Sequence, residues 1–272
     1  MKHPYGMNPN TSTIADSIRE VRAAYTELPE TTCDHRCICC KAGCPNMYYA
    51  EYLSIREGVV DRMIRPRRLE ITMACVRNYI IGNQASRPCV FLKGDKCSIY
   101  KYRHLKCRMY GLISPSVYRK TVARVAFELN KPADDVPLCV QCDKVKIKDE
   151  YKDRFPDGFI PEDMMIDLES RFRSIDLRLG MPKDIQKQGY GFLTYHDWHL
   201  IQEMGESWME SMTEIRLKLS IEKKEQFLDA LKQALVGKER SNAKSNPVDR
   251  RPEQAGEEGN PPWNDNNGQV PS

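Results

Sequence analysis

Residues 87–110 read RPCVFLKGDKCSIYKYRHLKCRMY. The stretch places Cys89, Cys97 and Cys107 in a short, strongly basic segment, and Lys93-Gly94-Asp95-Lys96 is a turn signal between two short apolar pieces. Neither a helical stripe nor a strand alternation runs through it, which predicts a compact loop. Upstream lies a second group, Cys33, Cys37, Cys39, Cys40 and Cys44, and downstream a third, Cys139 and Cys142. Ten of the eleven cysteines belong to these three groups, so what the thiols hold decides most of the functional reading.

Away from the cysteines the spacing is helical. Thr13-x-x-Asp16 resembles a capping box, and Ile14, Ile18, Val21, Tyr25 and Leu28 follow on one face. Pro45 suits a first helical turn, and Met47, Tyr48, Tyr52, Ile55, Val59 and Met63 carry a helix to about residue 63. A third helix is predicted over 67–81, with Cys75 beside its apolar stripe as a small buried hydrophobe. Further helices are predicted over 115–130, 161–179, 197–219 and 221–235. His196 and His199 fall at the start of the 197–219 helix, where burial or capping is the expected role, with His199 also a candidate to complete a site. With no internal repeat and no alternating strand series, the expected fold is mostly α. Its expected organisation is an N-terminal helix (1–30), a cysteine-cluster metal-binding domain (31–147), a helical C-terminal region (148–236) and a disordered Asn/Gly/Pro-rich tail (237–272).

A chain of 272 residues can bury a core without cysteine staples, so the thiols need their own explanation. The N-terminus has no apolar leader segment, and no run approaches the ~18 apolar residues of a spanning helix. The expectation is a soluble, cytoplasmic protein, where clustered cysteines more often bind metal than pair as disulfides. The odd cysteine count agrees. Between Arg87 and Arg124 there are ten Lys/Arg and one acid, Asp95. Either this charge compensates metal-bound thiolates, or it forms a surface for an anionic partner such as nucleic acid. Compensation is the preferred reading.

Five sulfurs within Cys33–Cys44 converge only if the backbone wraps a common point, and a metal centre supplies one. Four thiolates suit tetrahedral zinc or an iron–sulfur cluster. Cys139-x2-Cys142 is a proper knuckle and supplies half of such a site, whereas the adjacent Cys39 and Cys40 do not fit a single knuckle. Cys33-x3-Cys37-x2-Cys40 also has the spacing of the radical-SAM cluster motif, but the β/α framework those enzymes need is not visible, and Cys39 stands where they usually carry an aromatic.

The segment from Cys89 to Arg108 resembles the signature of the CxxCxxCC family of zinc- or iron-chelating proteins, C-P-F-L, a short turn, then C-x-I-Y-x-x-R-P-x-x-C-R. Phe91, Leu92, Ile99, Tyr100, Arg103 and Arg108 match beside the cysteines, and the upstream cluster ending in a vicinal pair is similar to Cys33, Cys37, Cys39 and Cys40. The resemblance spans about residues 31–145. It implies a centre of roughly eight cysteines binding zinc or iron, and a related branch, the flagellin lysine N-methylases, links a similar cluster to SAM-dependent protein methylation. The chain departs from the pattern in its upstream spacing, in Val90 and in His104, the last two standing where the family has prolines; His104 thereby adds a potential ligand.

The metal-ligand candidates are therefore Cys33, Cys37, Cys39, Cys40, Cys44, Cys89, Cys97, Cys107, Cys139 and Cys142, for zinc or iron, a 4Fe-4S cluster included. Arg103 and Arg108 are expected to bond or neutralise cluster sulfurs, and Tyr100 and Phe91 either to shield the site or to sit in the core. Two function classes follow. One is a zinc-structured binding module for an anionic partner, or for a protein partner through the C-terminal helices. The other is an iron–sulfur protein with a redox or methyl-transfer role on a protein substrate. No glycine-rich SAM loop is legible in residues 150–235.

Overall fold

A computed structural model describes residues 9–32, 40–41, 45–81, 89–94, 96–130, 132–133, 145–181 and 193–245. The fold is mostly α-helical, with nine α-helices among the described residues: α1 (Thr11–Tyr25), α2 (Tyr49–Gly58), α3 (Arg65–Ile80), α4 (Leu105–Arg108), α5 (Pro115–Leu129), α6 (Glu162–Arg178), α7 (Tyr195–Met204), α8 (Glu206–Lys218) and α9 (Ile221–Ser245). The strands named among those residues are β1 (Leu92–Lys93) and β2 (Lys96–Cys97), an antiparallel hairpin with Leu92 opposite Cys97. Gly94 has φ +55° at its turn, a value glycine adopts without strain. By contacts the chain divides into two units, Met1–Leu228 and Asp229–Ser272, the second described only for the C-terminal part of α9.

Helix α2 is the centre of the first unit, because its sequence offers almost no polar face. Tyr49, Ala50, Glu51, Tyr52, Leu53, Ser54, Ile55 and Gly58 are all buried. It packs against α1, α6 and α7, while α3 packs along α7. An aromatic seam joins them: Tyr25 and Tyr48 meet Phe172, Tyr49 meets Tyr52 and Trp198, and Tyr195 lies between Tyr52 and Phe91. Burying a side chain of Phe size contributes about 1.5–3 kcal/mol, and Phe172 and Trp198 are fully buried. The indole N–H of Trp198 donates to the Met47 carbonyl at 3.0 Å, so its polar edge is also satisfied.

Helix ends refine the sequence expectations. Asn10, not Thr13, caps α1: its side chain accepts the Thr13 N–H at 2.7 Å, and Thr13 bonds back to Asn10. Pro45 lies outside α2, which starts at Tyr49 after a Tyr48 cap and a reciprocal Glu51 contact. The helix expected over 197–219 is two helices, because Gly205 at φ +89° breaks it between Met204 and Glu206. Helix α9 continues to Ser245, past residue 235 and into the stretch expected to begin a disordered tail; residues 246–272 lie outside the described ones. Among the described residues no helix is long and apolar enough to cross a membrane.

Candidate functional site

The chain flanking the cysteine groups is tied together by backbone bonds. The Thr32 N–H donates to the Lys146 carbonyl at 2.8 Å, the Lys148 N–H to the Glu30 carbonyl at 3.0 Å, and Thr31 bridges Ile147. The residue just before Cys33 thus sits against the segment that follows Cys142 in sequence. On the other side of the first group, Asn46 bridges Thr194 and Met47 bonds Leu193. Cys33, Cys37, Cys39, Cys44, Cys139 and Cys142 themselves lie outside the described residues.

Four of the candidate ligands are described. Cys40 is buried, its carbonyl accepts the Cys89 N–H at 3.1 Å, and its thiol hydrogen-bonds the Cys97 thiol. These contacts join the first cysteine group to the hairpin. Cys97 ends β2, and Ser98 locks the turn by donating both its N–H and its hydroxyl to the Phe91 carbonyl at 2.8 Å. The Cys97 thiol is held below its ordinary range, first by the Cys40 contact, then by the Ile99 N–H and the Arg103 charge, against burial and the nearby Cys89. Cys89 is half-buried and close enough to act electrostatically on Cys75, Cys97 and His104. Cys75 is fully buried inside α3, and burial pushes its thiol well up, in keeping with an inert core residue.

The fourth, Cys107, lies in α4, where His104 is the residue preceding the helix. His104 Nε2 stands 3.1 Å from Cys107 Sγ. Among the described residues its buried Nδ1 has no hydrogen-bond partner. Only 3% of the residue is exposed. Burial above all, then Lys106, Arg108 and Arg103, keep this imidazole neutral down to about pH 3, although Cys89 pulls the other way. Among the described residues no set of three or more His, Cys, Asp or Glu side chains is gathered in an arrangement that could hold a metal ion. The described thiols meet as a Cys40–Cys97 pair and a His104–Cys107 pair, with Cys89 near both.

Two of the basic residues of the stretch, Arg103 and Arg108, are turned to structural work, while Lys93, Lys96 and Lys101 are exposed. Arg108 donates from Nε to the Arg103 carbonyl (2.7 Å) and from a terminal nitrogen to the Lys101 carbonyl (2.6 Å), with its guanidinium 4.3 Å from the Tyr25 ring centre. Arg103 donates to the Tyr100 carbonyl (3.1 Å) and stacks on the Tyr100 ring at 3.6 Å. Phe91 is buried against Tyr195, 4.6 Å between ring centres, and Tyr100 is half-buried. His196 and His199 are buried in a network of their own. The Thr72 hydroxyl donates to the Arg68 carbonyl, so His199 Nε2 is the donor to it at 2.9 Å, and Nδ1 faces Tyr195. His196 bonds Asn78 and Thr194. Both histidines are core residues here.

Two acids that sequence patterns did not single out hold the site's scaffold. The buried Glu51 accepts from the Tyr25 hydroxyl and the Leu105 N–H, both at 2.6 Å, and from the Tyr48 N–H at 3.0 Å. Leu105 opens the helix that carries Cys107, so Glu51 pins that helix to α1 and α2. Asp176 in α6 accepts the Tyr49 and Ala50 N–H groups, each at 2.8 Å, at the positive end of α2. An acid within an otherwise apolar helical stripe was the one available signal for Glu51. Comparison with protein-family models, with curated proteins and with solved structures finds no match to this chain.

Proposed function

We propose that this is a metal-binding protein of a reducing, cytoplasmic compartment, whose three cysteine groups close on a zinc or iron centre. The ligands would come from Cys33, Cys37, Cys39, Cys40, Cys44, Cys89, Cys97, Cys107, Cys139 and Cys142. The observation that carries the reading is the double tether. Thr32 is bonded to Lys146 at the edges of the first and third groups, while Cys40 bonds Cys89 and Cys97 of the second. Three segments far apart in sequence are thereby anchored to one another at their cysteine-bearing ends. The residue-by-residue likeness of Cys89–Arg108 to the CxxCxxCC signature supports the same reading.

The donor set fits such a group. Cys97 is biased toward the thiolate, which is the ligating form, and buried His104 nitrogen has no other use among the described residues. Bound zinc would fix the loops as a closed thiolate site; an iron–sulfur cluster would add one-electron chemistry. The stacking of Arg103 and Arg108 on tyrosines and their bonds to carbonyls favour charge compensation and loop bracing over a nucleic-acid surface. A protein partner would dock where Leu217 and Ile221 lie exposed near the α8–α9 junction.

Metal analysis and a visible spectrum of anaerobically purified protein test the proposal. Iron with acid-labile sulfide selects the redox or methyl-transfer class, and stoichiometric zinc without colour selects the binding module. Folded protein that carries neither metal, and whose melting temperature does not rise with added Zn2+ or Fe2+, refutes it.

A further inference from the structure

We infer that His104 is itself a ligand, bonding the metal through Nδ1, and that Cys107 serves it as the acceptor of the Nε2–H rather than as a thiolate donor. The inference rests on the metal-binding reading above, takes Cys107 out of its ligand set, and sharpens it to a mixed sulfur–nitrogen centre. Its starting point is the pair of atoms on one ring. Nε2 is engaged with Cys107 Sγ at 3.1 Å, while Nδ1 is buried and, among the described residues, unpartnered, on a residue only 3% exposed. Buried polar atoms are nearly always satisfied, and an orphan of this kind calls for a missing partner.

The tautomer agrees with that assignment. A neutral imidazole carries one N–H and one lone pair. If Nε2–H donates to Cys107 sulfur, the lone pair is on Nδ1, which is what a metal requires. Ligating histidines as a rule donate their other ring N–H to an acceptor that fixes the ring, and Cys107 is placed to be that acceptor. The two nitrogens also face opposite sides of the ring, so a metal on Nδ1 lies away from Cys107 Sγ. One ring orientation does not serve both groups as ligands of one ion. Cys89, which acts electrostatically on His104, and the Cys40–Cys97 pair joined to Cys89 are the other described thiols of the region; among the described residues they do not gather with His104 into a complete set, so further donors would be needed.

The backbone supports the side chain in this pose. His104 precedes α4 in an extended conformation (φ −75°, ψ 171°), its carbonyl accepts the Arg108 N–H at 3.0 Å, and Leu105 N–H is fixed by Glu51. The backbone that carries the ring is therefore fixed, and the ring's own hydrogen bond is the one to Cys107.

Two variants separate the roles. His104→Gln keeps an amide donor near Cys107 but has no Nδ1. Cys107→Ser keeps an acceptor for Nε2–H but no thiolate. Full-length wild type and both variants are loaded anaerobically with Zn2+ or Co2+. Affinity is read from the Co2+ absorption titration, and first-shell sulfur and nitrogen counts from X-ray absorption at the metal edge. His104→Gln is expected to weaken binding at least ~10–100-fold, the loss typical of disturbing a ligating histidine's surroundings, and to lose imidazole scattering. Cys107→Ser is expected to keep metal stoichiometry and sulfur count. His35 lies among the first cysteines in sequence, so the change between wild type and variant, not the wild-type spectrum alone, makes the assignment. Unchanged nitrogen scattering and affinity in His104→Gln overturn the inference and leave the metal-binding reading standing. Loss of one sulfur in Cys107→Ser overturns it too, and remains readable if His104→Gln fails to fold. Wild type that binds neither ion takes down the metal-binding reading itself.

Discussion

Replacing Glu51 with alanine tests whether the scaffold under the site is as tightly specified as its geometry implies. The carboxylate is 1% exposed and satisfies three buried donors: the Tyr25 hydroxyl, the Leu105 N–H and the Tyr48 N–H. Leaving a buried donor unpaired costs about 1–3 kcal/mol, so three orphans approach the upper part of a typical domain's margin. Against this, Glu51 pays a burial cost of its own, visible in a carboxyl pushed above its ordinary range by desolvation although Tyr25, Leu105 and Tyr48 pull it down. Removing it returns part of that cost, which leaves a net loss of roughly 3–5 kcal/mol from the three orphaned donors. Glu51→Gln retains one oxygen for Tyr25 and Leu105 and turns an amide toward Tyr48, so about 1–3 kcal/mol is expected. Urea unfolding followed by far-UV circular dichroism measures both. A Glu51→Ala protein within about 1 kcal/mol of wild type would refute the reasoning, since even one orphaned donor predicts as much. Because the folded state holds the Glu51 proton to higher pH than the unfolded chain, its contribution is greatest below ~pH 4.3 and declines as pH rises through the folded titration; Glu51→Gln removes that component of the slope.

Three further outcomes follow from the same structure. Burial, then Arg56 and His196, hold the His199 imidazole down to about 3, against ~6.5 in the unfolded chain, so stability is lost as pH falls through that interval; His199→Gln is expected to flatten the acid limb of a plot of urea midpoint against pH, and parallel limbs would count against it. Asp176→Ala strips acceptors from two N–H groups at the start of α2 and is expected to cost about 2–4 kcal/mol in the same unfolding assay, with Asp176→Asn recovering part; an unchanged midpoint would deny the link between α6 and α2. A Cβ on Gly58 would lie 2.4 Å from the Tyr102 ring, so Gly58→Ala should lose about 1–3 kcal/mol and regain some of it in a Tyr102→Ala background; additive losses would show that the ring is not the obstacle.

Helix positions were legible because their stripes are local. Val76 and Ile80 in α3, and Leu168, Phe172 and Ile175 in α6, are buried on the faces that a 3.6-residue period assigns them, whereas Leu69 and Met73 of the expected α3 stripe are only half-buried. The errors sit where local pattern and backbone chemistry diverge. The apolar spacing runs straight through Gly205, and only the positive φ of that glycine turns one helix into two. Thr13 and Asp16 look like a cap, yet Asn10 reaches the free N–H first. Partners far apart in sequence were invisible in principle. Periodicity says that Glu51 shares a helix with Tyr52 and Ile55, but not that Tyr25 and Leu105 will meet its carboxylate. The cysteines were legible as groups, while the Cys40–Cys97 contact depends on how two intervening helices return the chain. His104 was visible only as a departure from a resembled pattern; its orphaned nitrogen is a property of the packed state.

The packing around Cys97 and His104 is held by contacts that owe nothing to a metal. Helix α2 is buried on nearly every face and anchored at its start by Asp176; through Glu51 it fixes the first turn of α4, and through Gly58 it admits the ring of Tyr102 just ahead of His104. The hairpin that carries Cys97 is closed by Ser98 and backed by Phe91 on Tyr195. In a small zinc finger the metal supplies the folding free energy, because little else is buried. Here Trp198, Phe172, Tyr49 and Tyr52 bury a core in which Cys75 is one small apolar member, and no metal is needed to form it. The proposed centre would then not be needed to form the core, and a scaffold that already holds Cys97 and His104 in place would lower the ordering cost of recruiting further donors to it.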